Sequence, residues 1–295
     1  MKKQNYVRTD LAAESPVIEN GSQVQGIEAV RENDGPCSIF TVRVTSEEGE
    51  KIIGRPVGTY VTVGFPKPWL MSDGDLELTA SCIARSIRDL ATHTFKGSAP
   101  PTVLIAGLGN RYITSDAIGP LTVKAVTVTR HLQSHEPKLF SRLRSCSVSA
   151  IAPGVLGQTG IESSGLIKNA VDSISPDLLI VIDALASKNV DRLASTVQLS
   201  DTGIAPGSGI GNDRGAVNSD TMGVPVIAVG VPTMVDSSTL VFNALEKAGI
   251  SDISDSLKAV LDNGKSFFVT LNDSDTAVNA LSDLISRALN IALTL

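Results

Sequence analysis

From residue 103 onward, short apolar runs alternate with stretches whose apolar residues recur at helical spacing. Val103–Ala106, Ser147–Ile151, Leu178–Ile182, Val197–Leu199 and Val224–Val229 read as strands, and Gly119–Leu132, Gly165–Ile174 and Val235–Leu245 read as helices between them. Strand–helix alternation of this kind predicts a mostly parallel central sheet with helices on both faces, a three-layer αβα arrangement. Upstream, residues 26–70 look β-rich: Ser38–Val44 alternates weakly, Tyr60–Val63 is β-branched, and Gly54, Pro56, Gly58, Pro66 and Pro68 punctuate the segment. Leu76, Ala80, Ile83, Ile87 and Leu90 share a helix face, with Asp75 in the cap region. A strand over Phe267–Thr270 and a helix over Asp273–Leu293 close the chain. Residues 1–25 are polar and read as an extended arm. With no internal repeat or low-complexity linker, one α/β domain with a β-rich amino-terminal elaboration is expected.

Two of the strand exits carry carboxylates. Ile180-Val181-Ile182 runs into Asp183-Ala184-Leu185-Ala186, and Val103–Ala106 runs into Gly107-Leu108-Gly109-Asn110 and then Ser115-Asp116-Ala117. In an open α/β sheet the carboxyl ends of the strands form the ligand crevice. Asp is a good helix N-cap, so either residue alone has a plain structural use. Two of them at the exits of different central strands point instead to paired acid–base work. Two further strand-exit loops, Ala152–Gly160 and Ser200–Asn212, are glycine-rich. Gly157, Gln158, Thr159, Gly203 and Gly207 in them are candidates for binding substrate backbone or a developing oxyanion.

Composition narrows the classes. The chain has 295 residues and a formal charge of −6, which argues against a general nucleic-acid binder. Three widely spaced cysteines, Cys37, Cys82 and Cys146, give no disulfide framework and no zinc motif. His131 and His135 stand four apart in a polar stretch and read as a solvated helix end rather than a metal pair. Gly107-Leu108-Gly109 has Tyr at position 112, where a dinucleotide fingerprint needs glycine. Ser200–Asn212 lacks the Gly-Lys-Ser/Thr of a phosphate-binding loop, and no Gly-x-Ser-x-Gly elbow is present. Cys146 lies in a predicted strand, a poor place for a nucleophile. Asp201-Thr202-Gly203 matches a tripeptide of retroviral-type aspartic proteases, but those are β-barrels. The amino terminus has no signal peptide and no run reaches membrane length, so a cytoplasmic protein is expected.

Several segments jointly resemble the germination proteases of spore-forming bacteria. They are Val7–Glu14, Gly107–Asn110, Ser115–Pro120, Ala152–Gly160, Ile182–Ala186, Ser200–Asn212 and Gly223–Thr233, in the family's order. The resemblance implies an endopeptidase that degrades small acid-soluble spore proteins at germination, acting in the spore core. It implies an α/β fold similar to hydrogenase-maturation proteases, a homotetramer, and two catalytic aspartates falling on Asp116 and Asp183. It also implies an inactive zymogen that removes its own arm. Family substrates are cut after Glu and before Ile or Phe followed by Ala. Thr9-Asp10-Leu11-Ala12 has matching chemistry, so self-cleavage is expected between Asp10 and Leu11. The expected organisation is a 1–10 propeptide arm and a single peptidase domain over 11–295. An acidic residue before the cut bond calls for a basic group in the pocket, with Arg111, Lys188, Arg192 and Arg214 as candidates. The stretch between Val231 and Phe267 is shorter than the family's, and the chain lacks its His-Pro ending. No metal or other cofactor is expected, and no nucleic acid or membrane partner. Two other classes share parts of this pattern: a nickel-dependent hydrogenase-maturation endopeptidase, and a non-catalytic nucleotide-binding module built on Gly107–Asn110.

Overall fold

The computed structural model describes residues 25–92, 99–205, 215–250, 254–261 and 267–295. The expected propeptide arm, the expected Asp10–Leu11 cleavage bond, His93, Gly207 and Arg214 lie outside them. Among the described residues there are nine strands in one connected sheet: β1 (Ile27–Asp34), β2 (Cys37–Val44), β3 (Gly58–Gly64), β4 (Thr102–Gly107), β5 (Ser147–Ile151), β6 (Leu178–Ala186), β7 (Thr196–Ser200), β8 (Val226–Asp236) and β9 (Phe268–Val269). The order is β1-β2-β3-β7-β8-β6-β4-β5, with β9 paired to β8. The central strands β5, β4, β6 and β8 are mutually parallel, whereas β7, β3, β2 and β1 continue the sheet by antiparallel pairing. The amino-terminal elaboration is thus an extension of the same sheet.

Helices of eight or more residues are α1 (Asp73–Leu90), α2 (Ile118–Ala125), α3 (Ser163–Ile174), α4 (Ser237–Lys247) and α5 (Ser274–Ala292). On one sheet face, Val103, Ile105, Ile180, Ile182, Val197, Leu199, Val229 and Val231 pack against Ile83 and Ile87 of α1, Ile118 of α2, and Leu281, Leu284, Ile285 and Leu289 of α5. On the other, Leu104, Ala106, Leu179, Val181 and Val226 meet Ile167 and Val171 of α3. This burial on both faces is why β4 and β6 read as unbroken apolar runs rather than alternations. The one-residue parity also places Asp183, like Val181, on the α3 side.

Several elements differ from the sequence pattern, among them β6, which runs four residues past the expected Ile182 to Ala186 and so takes Asp183 into the strand. The helix expected over Gly119–Leu132 is α2, ending at Ala125, because Val126 turns extended and the β-branched stretch to Thr129 docks on β5. There the Thr129 N–H donates to Val148 O at 3.0 Å and its hydroxyl donates to Cys146 O at 2.6 Å. Val235 belongs to a strand rather than a helix: β8 runs on to Asp236, whose carboxylate caps α4 by accepting the Thr239 N–H. Ser72, not Asp75, caps α1, accepting the Asp75 N–H at 3.2 Å. Finally, β1 is a strand that the pattern did not reveal. It is an edge with mostly exposed residues, joined to β2 by a two-residue turn in which Gly35 takes φ 56°.

Candidate active site

Asp116 is placed by a chain of backbone constraints that begins where β4 ends. The Leu108 N–H donates to Ile182 O at 2.8 Å, which holds the exit loop against β6. Gly109 follows with φ 109°, and a Cβ there would stand 2.0 Å from Asp116 O. Glycine is therefore required both by conformation and by space. The loop then turns back, so that the Asn110 N–H donates to Asp116 Oδ2 at 2.8 Å. Asp116 closes a single 3-10 turn, Thr114–Asp116, whose Ser115 O accepts the Thr233 hydroxyl of β8 at 2.6 Å. Directly after it α2 begins, with Gly119 packed backbone-to-backbone on Gly107 and Leu108.

Asp183 sits inside β6, one residue past the last pairing with β4. Its neighbour on β8 is Gly230, and the neighbour of Gly230 on β7 is Gln198. Asp183 is 6 % exposed and its Oδ1 accepts the Ala184 N–H at 2.9 Å. Both aspartates line one cleft of about 530 Å³ on the α3 side of the sheet. Gln198, Ser200, Ala228 and Gly230 form part of its lining from β7 and β8, and Ile113, Ser115, Leu185, Met234 and Phe268 also line it. A space of this volume suits a ligand or a peptide segment.

The other expected site residues divide. Gly203 lines the cleft with φ 77°, and its carbonyl accepts the Ser200 hydroxyl. Gly157, Gln158 and Thr159 fall on a short helix, Leu156–Thr159, and are not among the lining residues. The N–H groups of Gln158 and Thr159 both donate to Val155 O, so the turn itself uses them. The Gln158 side chain reaches Asn110 Oδ1 at 2.8 Å and so braces the Asp116 loop from outside. Asp10, Leu11 and Gly207 lie outside the described residues.

None of the three described basic candidates lines the cleft. Arg111 lies over the Tyr112 ring, Lys188 pairs with Glu246 at 3.3 Å, and Arg192 belongs to a separate 3-10 turn. Arg55 does line it, beside Tyr60 on β3. Sequence reasoning missed both, since only the antiparallel β3–β7 pairing brings residues 55–60 to this face. Burial raises the Tyr60 hydroxyl above its usual value, with Arg55 pulling the other way and Asp201 and Glu50 adding to the rise. Burial pushes the Cys146 thiol up to about 11, an inert environment for a nucleophile. His131 and His135 are exposed. Among the described residues no group of three or more His, Cys, Asp or Glu stands together for a metal, and no helix is long and apolar enough to cross a membrane.

Two carboxylates, Asp116 on the loop after β4 and Asp183 within β6, line one cleft in an α/β sheet. Residues 6–248 match the family model described as germination protease. The germination protease of Caldanaerobacter subterraneus is 44% identical over 242 residues, covering 81% of this chain and 72% of that one. Clostridium perfringens germination protease is 40% identical over 276 residues, covering 91% and 81%. A solved NiFe hydrogenase maturation protease, HycI from Thermococcus kodakarensis, aligns with 57% of this chain and 99% of its own at 14% identity and a TM-score of 0.32, too slight a likeness to build on. The protein is an endopeptidase. The chain belongs to the germination protease family.

Proposed function

We propose that Asp116 and Asp183 activate a water for attack on the scissile carbonyl of a protein substrate. The observation that carries this reading is their shared cleft. One carboxylate takes the proton of the water as general base. The other, protonated, donates to the carbonyl oxygen or the leaving nitrogen. This division of roles has one proton on the pair, the arrangement in which one carboxylate can act as base and the other as acid. The Gly203 turn is the better placed of the two glycine-rich loops to supply an oxyanion donor, since it lines the cleft and the Gly157–Thr159 turn does not.

The substrates are small acid-soluble spore proteins, degraded in the spore core at germination. The chain is organised as a 1–10 arm and a single peptidase unit over 11–295, assembled as a homotetramer. It is made as a zymogen and cuts its own Asp10–Leu11 bond. A polar arm with no apolar segment suits such accessibility. Intact mass followed at about pH 6, chosen to favour a shared-proton pair, tests this. Loss of Met1–Asp10 is expected in wild type and not in Asp116→Asn or Asp183→Asn. Loss in all three proteins means another agent cuts the arm; loss at a different bond removes the proposed cleavage rule.

A further inference from the structure

β6 outruns one of its two neighbours. Its pairing with β4 ends at Gly107 and Ile182, whereas its pairing with β8 continues through Asp183 to Ala186. Two hydrogen bonds fix the direction in which its main-chain groups point. The Leu179 N–H donates to Pro225 O at 2.9 Å, so the main chain at Leu179 faces β8. Ile182 O accepts the Leu108 N–H at 2.8 Å, so the main chain at Ile182 faces β4. Alternation along the strand then turns Asp183 back to β8. It aims the N–H and C=O of Ala184 at the β4 side, where among the described residues no strand pairs with it. The Ala184 N–H closes instead onto Oδ1 of Asp183, its own chain neighbour, at 2.9 Å. Of the nine residues of β6, Ala184 alone is not buried. The loop after β4 supplies Gly109 and Asp116 to the same cleft that Asp183 and Ala184 line.

We infer that the main chain of the substrate adds to β6 as a strand at Ala184, on the side that β4 leaves. A substrate carbonyl accepts the Ala184 N–H, and a substrate N–H donates to Ala184 O. This inference rests on the peptidase reading of the cleft. An open strand edge is a template for an extended chain, and main-chain bonds then hold the peptide. The occupant is the substrate because the edge is continuous with the cleft that both aspartates line. A chain one strand spacing away, about 4.8 Å, runs between β6 and the loop that carries Asp116. Ala184 directly follows Asp183, and neighbouring Cα atoms stand about 3.8 Å apart. The paired substrate residue therefore lies within about two positions of the bond that faces Asp183. Main-chain pairing reads no side chain, so it fixes the direction and extension of the peptide whatever its sequence. It also joins binding to chemistry. A substrate carbonyl that takes the Ala184 N–H replaces Asp183 Oδ1 as its acceptor, and that oxygen turns to the water or the scissile carbonyl.

Backbone esters test this. In a series of labelled peptides with one cleavable amide, each neighbouring amide N–H is replaced in turn by an ester oxygen. An ester removes one donor and weakens the carbonyl before it as an acceptor, without added bulk. One ester removes the donor to Ala184 O; another weakens the acceptor of the Ala184 N–H. These two fall at adjacent positions whether the added strand is parallel or antiparallel, and their order tells which. In wild type kcat/KM should fall about ten- to a hundredfold at the first and about two- to fivefold at the second. Both should lie within about two residues of the cut bond. Ala184→Pro has no N–H to give, and its nitrogen faces away from β8, so no bond between these strands is removed. In it the smaller loss should vanish and the larger remain. Each loss is a ratio within one variant, so it is insensitive to the fraction that folds. The wild-type profile alone overturns the inference if the adjacent pair is missing, as does a smaller loss that survives in Ala184→Pro. Either result leaves the peptidase reading intact. Fluorescence anisotropy with the same peptides gives the profile without turnover. If wild type cuts nothing yet binding shows the adjacent pair, the peptidase reading fails and the added strand stands.

Discussion

Adding one methyl group at Gly119 tests how the Asp116 loop is held. A Cβ at this position would lie 2.2 Å from Leu108 O, 2.6 Å from Leu108 N and 2.8 Å from Gly107 C. Ordinary contact begins at 3.4 Å, so the start of α2 must retreat from the end of β4 by about 1.2 Å. The atoms in the way are backbone, and no side chain can rotate to relieve them. Overpacking of this kind costs about 1–3 kcal/mol, and a backbone clash belongs at the upper end. At about 2–4 °C per kcal/mol, Gly119→Ala should lower the midpoint of thermal unfolding by roughly 6–12 °C. Asp116 lies three residues before Gly119 and moves with it. A displacement of about 1 Å at a catalytic group costs on the order of a hundredfold in rate. Gly157→Ala is the matched control, because nothing lies within 4 Å of a Cβ there. It should hold the wild-type midpoint or raise it slightly. The assays are scanning calorimetry and peptide cleavage below the midpoint of both variants. A Gly119→Ala protein within about 2 °C of wild type and fully active would refute this account of how Asp116 is placed.

Two further perturbations probe the same site. Thr233→Val removes the hydroxyl that ties β8 to Ser115 O at 2.6 Å. It should cost about 1 kcal/mol in urea unfolding and lower kcat more than it raises KM, since the Asp116 turn loosens without losing substrate contacts. Burial raises Tyr60 above its ordinary 10.0, so its neutral form is favoured in the folded state. The stability it contributes is complete below pH 10 and is lost as pH climbs through the raised value. Tyr60→Phe should therefore flatten the alkaline limb of stability against pH above pH 10 and leave the limb below it unchanged.

The parallel centre of the fold was legible because each of its strands is buried on both faces. Leu178–Ile182 has no polar residue to interrupt it, and a run of that kind announces a central strand. Asp183 was legible through the same run, although β6 continues past it to Ala186 and its carboxylate lines the cleft from within the strand. Asp116 was found through its glycine-rich approach, Gly107-Leu108-Gly109, although the reason for those glycines is a close packing of backbones that no sequence pattern displays. The antiparallel half was harder. Ile27–Asp34 alternates poorly because, as an edge strand, it buries almost nothing. Arg55 sits in the turn punctuated by Gly54 and Pro56, and its place in the cleft lining depends on Tyr60 pairing with Ser200, 140 positions away in the chain. Val126–Thr129 continued a helical pattern by composition, and only the docking of Thr129 on β5 decides against it.

The most direct test of the central claim is kcat/KM for one peptide substrate across wild type, Asp116→Asn, Asp183→Asn and the double variant, each shown to be folded by circular dichroism. Carboxylates acting as one unit give strongly non-additive losses. Each single variant should lose on the order of a thousandfold or more, and the double variant should be little worse than either. A single variant that retains activity within tenfold of wild type, while folded, would contradict the paired-aspartate mechanism.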